Sequence, residues 1–100
     1  MGYRLSRKAE EDVISIFLEG VAQFGLHQAE HYHDWLEKSF RFLAENPLAA
    51  PERLEITPPI RIHPTGTHLV VYRVDDEGDI FIIRVRHGHE DWQVALESTF

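Results

Sequence analysis

The sequence predicts an α+β fold: a short N-terminal strand and an α-helical hairpin packed on an antiparallel β-sheet, in the order β-α-α-β-β-β. Three observations lead there. Apolar residues recur at spacings of three and four through two stretches separated by Gly25, the period of a single helix face. A connection punctuated by prolines follows, and then come three β-branched runs separated by short turn sequences. With 100 residues and 43% hydrophobic content, the chain makes one domain, 1–100, with a single core.

Taken in order, Tyr3-Arg4-Leu5 alternates as a short strand, and Ser6 directly after it is a good helix N-cap. In the helix that follows, Ala9, Val13, Ile16, Phe17, Val21 and Phe24 form the apolar face, while Glu10, Glu11 and Asp12 complement the N-terminal dipole. Gly25 is a natural stop. Ala29, Tyr32, Leu36, Phe40 and Leu43 then hold the helical period as far as Asn46-Pro47, so two helices joined through one glycine form an antiparallel hairpin. Pro47, Pro51, Pro58 and Pro59 leave room for no long element between 48 and 59. Ile60-Arg61-Ile62-His63 alternates as a strand, Pro64-Thr65-Gly66-Thr67 supplies a hairpin turn, and 68–74 returns as the second strand. An acidic turn, 75–79, leads into the third, which completes an antiparallel meander.

That last strand is the centre of the chain. From 80 to 85 it is β-branched and aromatic, which places it inside the sheet rather than at an edge. Strict alternation puts Phe81, Ile83, Val85 and His87 on one face and Ile80, Ile82, Arg84 and Arg86 on the other. Two stacked guanidinium groups suit an anion or a carboxylate-bearing partner; alternatively, both arginines pair with helix acids and hold the sheet in place. His87 and His89, on either side of Gly88, could act as acid and base near neutral pH or simply cap and fill. The tail from Glu90 carries Trp92, Val94, Ala95, Leu96 and Phe100, as a short amphipathic helix or a disordered end with apolar anchors.

A net charge of -7, spread over both halves, leaves no Lys/Arg stripe for a general nucleic-acid binder. The segment 56–74 nonetheless carries Arg61 and Arg73 and no acid, so a local positive face on the sheet is open. The absence of cysteine removes disulfide and thiolate chemistry and suits a reducing cytoplasm. No apolar run reaches spanning length and no signal-like segment opens the chain, so neither secretion nor a membrane is expected. His27 and His31, four apart with Glu30 or Asp34 nearby, could chelate zinc. Such a pair without a well-placed third ligand is common on solvated helices, so both are assigned to the surface, and no metal or cofactor is expected.

Several phrases carry a resemblance over nearly the whole chain: residues 3–12 (YRLSRKAEED), Gln23-Phe24-Gly25 with Gln28-Ala29-Glu30, Glu45-Asn46-Pro47, His63-Pro64 with Gly66-Thr67-His68, Val71-Tyr72-Arg73, and 83–92 (IRVRHGHEDW). Together with the element order they are similar to the ParE branch of the RelE/ParE toxin superfamily. The resemblance implies a small cytoplasmic toxin that inhibits DNA gyrase, stalling it with DNA cut, without being an enzyme itself. It also implies a hetero-oligomer with a ParD-type antitoxin, a segment of which packs across the helix hairpin and the sheet. On this reading Arg84, Arg86, His87, His89, Glu90 and Trp92 contact the target, and Arg61, Arg73, Val13 and Phe17 contact the antitoxin. The sister RelE-like branch cleaves messenger RNA at the ribosome, which needs groups to activate the 2'-hydroxyl, stabilise the phosphorane and protonate the leaving oxygen. Here no lysine lies beyond Lys38 and Trp92 has no acidic proton to give, so the ribonuclease ranks second. A relic that only binds its antitoxin is the third reading.

Overall fold

A computed structural model of the chain describes residues 2–88. The elements are β1 (Tyr3–Leu5), α1 (Arg7–Phe24), α2 (Leu26–Glu45), β2 (Glu52–Arg53), β3 (Ile60–Thr65), β4 (His68–Val74) and β5 (Ile80–His87). His89, Glu90, Trp92 and the rest of the tail lie outside the described residues.

Local chemistry sets the first three elements. The Ser6 hydroxyl accepts the Ala9 N–H at 3.0 Å, capping α1, and donates its own proton to the Ile83 carbonyl at 2.7 Å. One residue therefore ends a strand, starts a helix and ties both to β5. Gly25, at φ 90°, gives its N–H to Val21 and its carbonyl to Ala29, so it closes α1 and opens α2. The helices approach closely beside this joint, where a Cβ on Gly20 would stand 3.3 Å from that of Ala29.

The sheet order is β1-β5-β4-β3-β2. The meander β3-β4-β5 is antiparallel, as expected, whereas β1 joins the outside of β5 in parallel, so the sheet as a whole is mixed. Two residues of the proline-rich connection also pair with β3, as the short β2. Both helices cover one face, burying Ala9, Leu36, Phe40 and Leu43 against Val70, Tyr72, Ile80, Ile82 and Val85. On the far face Ile60, Val71 and Ile83 form a smaller cluster with Ile56, Ile62 and Phe81 beside them. Among the described residues no helix is long and apolar enough to cross a membrane.

The structure corrects the expected alternation of β5. Tyr72 pairs with Ile82 but Val71 pairs with Arg84, leaving Ile83 as an extra residue in a β-bulge. A one-residue shift exchanges the faces of everything beyond it. Val85 consequently returns to the helix side with Ile80 and Ile82, and only Ile83 stays with Phe81 in the far cluster. Arg84 and Arg86 still share a face, but it is the far one, across from Val71 and Leu69.

Tyr72 straps the irregular connection to the sheet. Its hydroxyl donates to the Pro47 carbonyl at 2.8 Å and accepts the Ala50 N–H at 3.4 Å; burial raises its pKa above the usual tyrosine value. Tyr72→Phe should remove both contacts and lower stability by about 1–2 kcal/mol in urea titration. An unchanged midpoint would mean that the connection is held without them.

Candidate functional site

The polar end of β5 is built around an unfinished edge. β1 pairs only with 80–82, so beyond it the backbone of β5 has no neighbouring strand on that side among the described residues. The chain supplies substitutes in sequence. The Ser6 N–H takes the Ile82 carbonyl at 2.9 Å, the Ser6 hydroxyl takes that of Ile83, and one turn into α1 the Asp12 carboxylate accepts the Val85 N–H at 3.0 Å. The same carboxylate receives Arg84 in a two-pronged bond, Nε at 2.8 Å and Nη2 at 3.0 Å, with Arg86 Nη1 at 3.6 Å. Arg84 and Asp12 side chains are each 12% exposed. Parallel, charge-assisted bonds of this kind are the strongest pairing available to a guanidinium. Of the alternatives open in the sequence, pairing with a helix acid is the one this geometry displays for Arg84.

Just around the end of the same strand, α1, α2 and the sheet leave a cleft of about 410 Å³. Its apolar wall comes from Val13, Ile16 and Phe17 of α1 and Ala29 and Leu36 of α2, with Gly20 between them. Its polar rim comes from Tyr32, His33, His68 and His87. The Tyr32 hydroxyl lies 2.6 Å from His68 Nδ1 and accepts the Thr67 N–H at 3.3 Å. The hydroxyl also faces the Thr65 carbonyl at 3.4 Å, so the proton between it and Nδ1 follows the tautomer of the His68 ring. The His68 and His87 rings meet edge to face, 5.3 Å between centroids. The arrangement can hold an apolar side chain against the helices while offering proton-bearing groups at the mouth.

The predicted residues therefore divide among several places. Val13 and Phe17 line the cleft, and His87 stands at its rim. Arg84 and Arg86 gather at Asp12. Arg61 and Arg73, expected on one sheet face, are on opposite ones, because they are one residue removed from each other across the β3–β4 pairing. Arg61 sits opposite Tyr72 on the helix side and donates to the Ala50 carbonyl at 2.6 Å, while Arg73 projects from the far face. His27 and His31 are exposed on α2, as expected, their rings 4.7 Å apart. Sequence reasoning missed Asp12, Tyr32 and His68. Asp12 read as a dipole partner and Tyr32 as a member of the apolar stripe; counting back from the acidic turn sets His68 opposite Arg86, and only the bulge moves it to His87.

Comparison with known proteins gives a consistent result. Residues 3–92 match the family described as "ParE toxin of type II toxin-antitoxin system, parDE". A protein named Toxin ParE1 from Mycobacterium tuberculosis is 34% identical over 89 residues, covering 89% of this chain and 91% of that one. Toxin ParE1 from Caulobacter vibrioides is 33% identical over 85 residues, covering 85% and 86%. Among solved structures, one titled "Chromosomal ParDE TA system from P. aeruginosa" superposes with a TM-score of 0.73 at 22% identity over 87% of this chain and 95% of that chain, which shows the shared fold.

Removing Asp12 leaves a nearly buried guanidinium without its carboxylate. Asp12→Ala should therefore cost about 3 kcal/mol in chemical denaturation, and Asp12→Ala combined with Arg84→Met should recover much of that loss, because an orphaned charge costs more than an absent pair. Equal losses in the single and double variants would assign the stability to the Val85 N–H bond instead.

Proposed function

The chain belongs to the ParE toxin family of type II toxin-antitoxin systems, and on that footing we propose that it is the toxin of such a pair, acting on DNA gyrase by trapping the complex in which DNA is cut. A ParD-type antitoxin neutralises it in a hetero-oligomer, in the cytoplasm where gyrase works. The observation that carries the family assignment is the match over 3–92; the one that supports neutralisation by a bound segment is the cleft. An amphipathic antitoxin segment laid against Val13, Phe17 and Leu36 exchanges two wet apolar surfaces for one dry one, the usual helix-in-groove mode of recognition. On the toxic side the end of β5 offers Arg86, His87 and the segment beyond, including His89, Glu90 and Trp92, as the surface that meets the target. Arg84 contributes through its pairing with Asp12, which positions the strand end. The toxin acts here by binding, not by catalysis.

A second reading has a specific observation behind it. Tyr32, His68 and His87 bring proton-transfer groups together at the cleft rim, which a messenger ribonuclease would need. Phosphorane stabilisation would fall to Arg84 and Arg86, and both are drawn to the Asp12 carboxylate. The gyrase reading stands first for that reason.

Purified protein added to gyrase with supercoiled DNA should accumulate cleaved DNA, while messenger in a parallel translation reaction stays intact. Cut messenger with unaffected gyrase would replace this reading with the ribonuclease, and silence in both would leave an antitoxin-binding relic. Separately, Phe17→Asp should weaken antitoxin binding by about 2 kcal/mol or more, roughly thirtyfold in Kd, and leave gyrase inhibition intact. Unchanged antitoxin affinity would remove the cleft from the interface.

A further inference from the structure

The face of the sheet turned away from the helices carries a second feature, at the opposite end of β5 from the cleft. Arg4 of β1 is in register with Phe81 of β5, and Phe81 is in register with Arg73 of β4, so the three side chains form one rung across adjacent strands. Their neighbours Tyr3, Leu5, Tyr72, Ile80 and Ile82 pack towards the helices, which turns the rung to the far face. The Arg4 guanidinium carbon stands 4.2 Å from the Phe81 ring centroid and that of Arg73 stands 5.3 Å from it. Both arginines are exposed, and among the described residues neither has a carboxylate partner, in a chain of net charge -7.

The acids nearest in sequence are occupied elsewhere or turned to solvent. Asp75 accepts the N–H groups of Glu77 and Asp79, and Asp79 accepts that of Gly2; Asp76 and Glu77 are exposed in the turn. A guanidinium resting on an aromatic ring keeps its N–H edge outward and loses little freedom when it binds, which suits fork recognition of an oxyanion. Both carboxylate and phosphate have that shape. The surroundings separate them: two cations beside an acidic turn, on a strongly acidic protein, oppose a polyanion that presents charge every few ångströms. A short peptide carries fewer charges, and its extended form sets same-side carboxylates about 7 Å apart, a spacing that two guanidinium groups sharing one ring can meet.

We propose that Arg4, Phe81 and Arg73 form a docking point for an acidic segment of the protein on which the toxin acts, on a face left free when the antitoxin fills the cleft, which moves Arg73 from the expected antitoxin contacts to the target side. The proposal rests on the toxin reading above but not on gyrase being the target.

The test uses the full chain with Arg4→Gln and Arg73→Gln together; neither residue holds an ion pair among the described residues, so thermal melting should confirm an unchanged structure. A synthetic peptide of alternating Glu and Ala, titrated at low salt and followed by NMR at the Phe81 ring and the arginine Nε–H groups, should bind the wild type. The double variant should bind it at least about tenfold more weakly, the scale of losing charge-assisted bonds. In a bacterial host lacking antitoxin the variant should lose growth arrest while binding purified ParD-type antitoxin with wild-type affinity, and Arg4→Lys with Arg73→Lys should restore arrest only in part. Retained arrest would overturn the proposal, and so would a loss confined to antitoxin binding, which would give the rung to the antitoxin. Tighter binding of a DNA oligonucleotide of equal charge than of the peptide would overturn it in favour of nucleic acid. A wild type that fails to arrest growth defeats the toxin reading instead, and the peptide titration then decides the docking chemistry by itself.

Discussion

The carboxylate of Asp12 finishes a sheet that the strands leave incomplete. β5 is the longest strand among the described residues and the one on which α1 and β1 converge, yet β1 covers only three of its residues. A row of unsatisfied amides and carbonyls at that place would be wet, floppy and available to any passing strand. Ser6 and Asp12 close it from the first turns of α1, so the helix is fastened to the sheet by hydrogen bonds in the plane of the sheet as well as by the apolar face beneath it. The orientation of α1 then sets that of α2 through the single residue Gly25, and the two helices set the walls of the cleft. Arg84 and Arg86, drawn in by the same carboxylate, take their places as a result of edge repair.

What the sequence conveyed well is what neighbouring residues decide among themselves. The Ser6 cap, the Gly25 joint, the acidic turn at 75–79 and the glycine in the β3–β4 hairpin all rest on hydrogen bonds or backbone angles spanning a few positions, and each stands where the pattern placed it. The bulge at Ile83 was not legible, because it comes from how two strands pack and leaves no mark on either strand alone. Most of the misplaced site residues trace to it: the face of Val85, the side on which the arginines emerge, and the meeting of His68 with His87. Asp12 was hidden for a different reason. Its partners are more than seventy positions away, and an acid near the start of a helix already has an adequate local explanation.

The acidic composition acquires a location in three dimensions. Along β5, Arg84 and Arg86 are drawn to Asp12 at one end and Arg4 and Arg73 stand on Phe81 at the other, while the helix hairpin carries most of its acids outward. Two faces of different character result: an apolar cleft rimmed with histidines on the helix side, and a sheet surface where arginines stand over hydrophobic side chains. Such a division lets a small domain engage two proteins at once without making the two surfaces compete, and complementary charge then governs which partner finds which face.

The Ser6 hydroxyl and the Ile83 carbonyl it binds are separated by 77 positions. While the ribosome is still building the chain, β1 and the start of α1 therefore have nothing to close against, and the cleft lacks the histidine that ends its rim. Contacts this distant in sequence form late and slowly. The first strand and helix of a nascent chain therefore wait for β5, and the cleft takes shape only once that strand has joined the sheet.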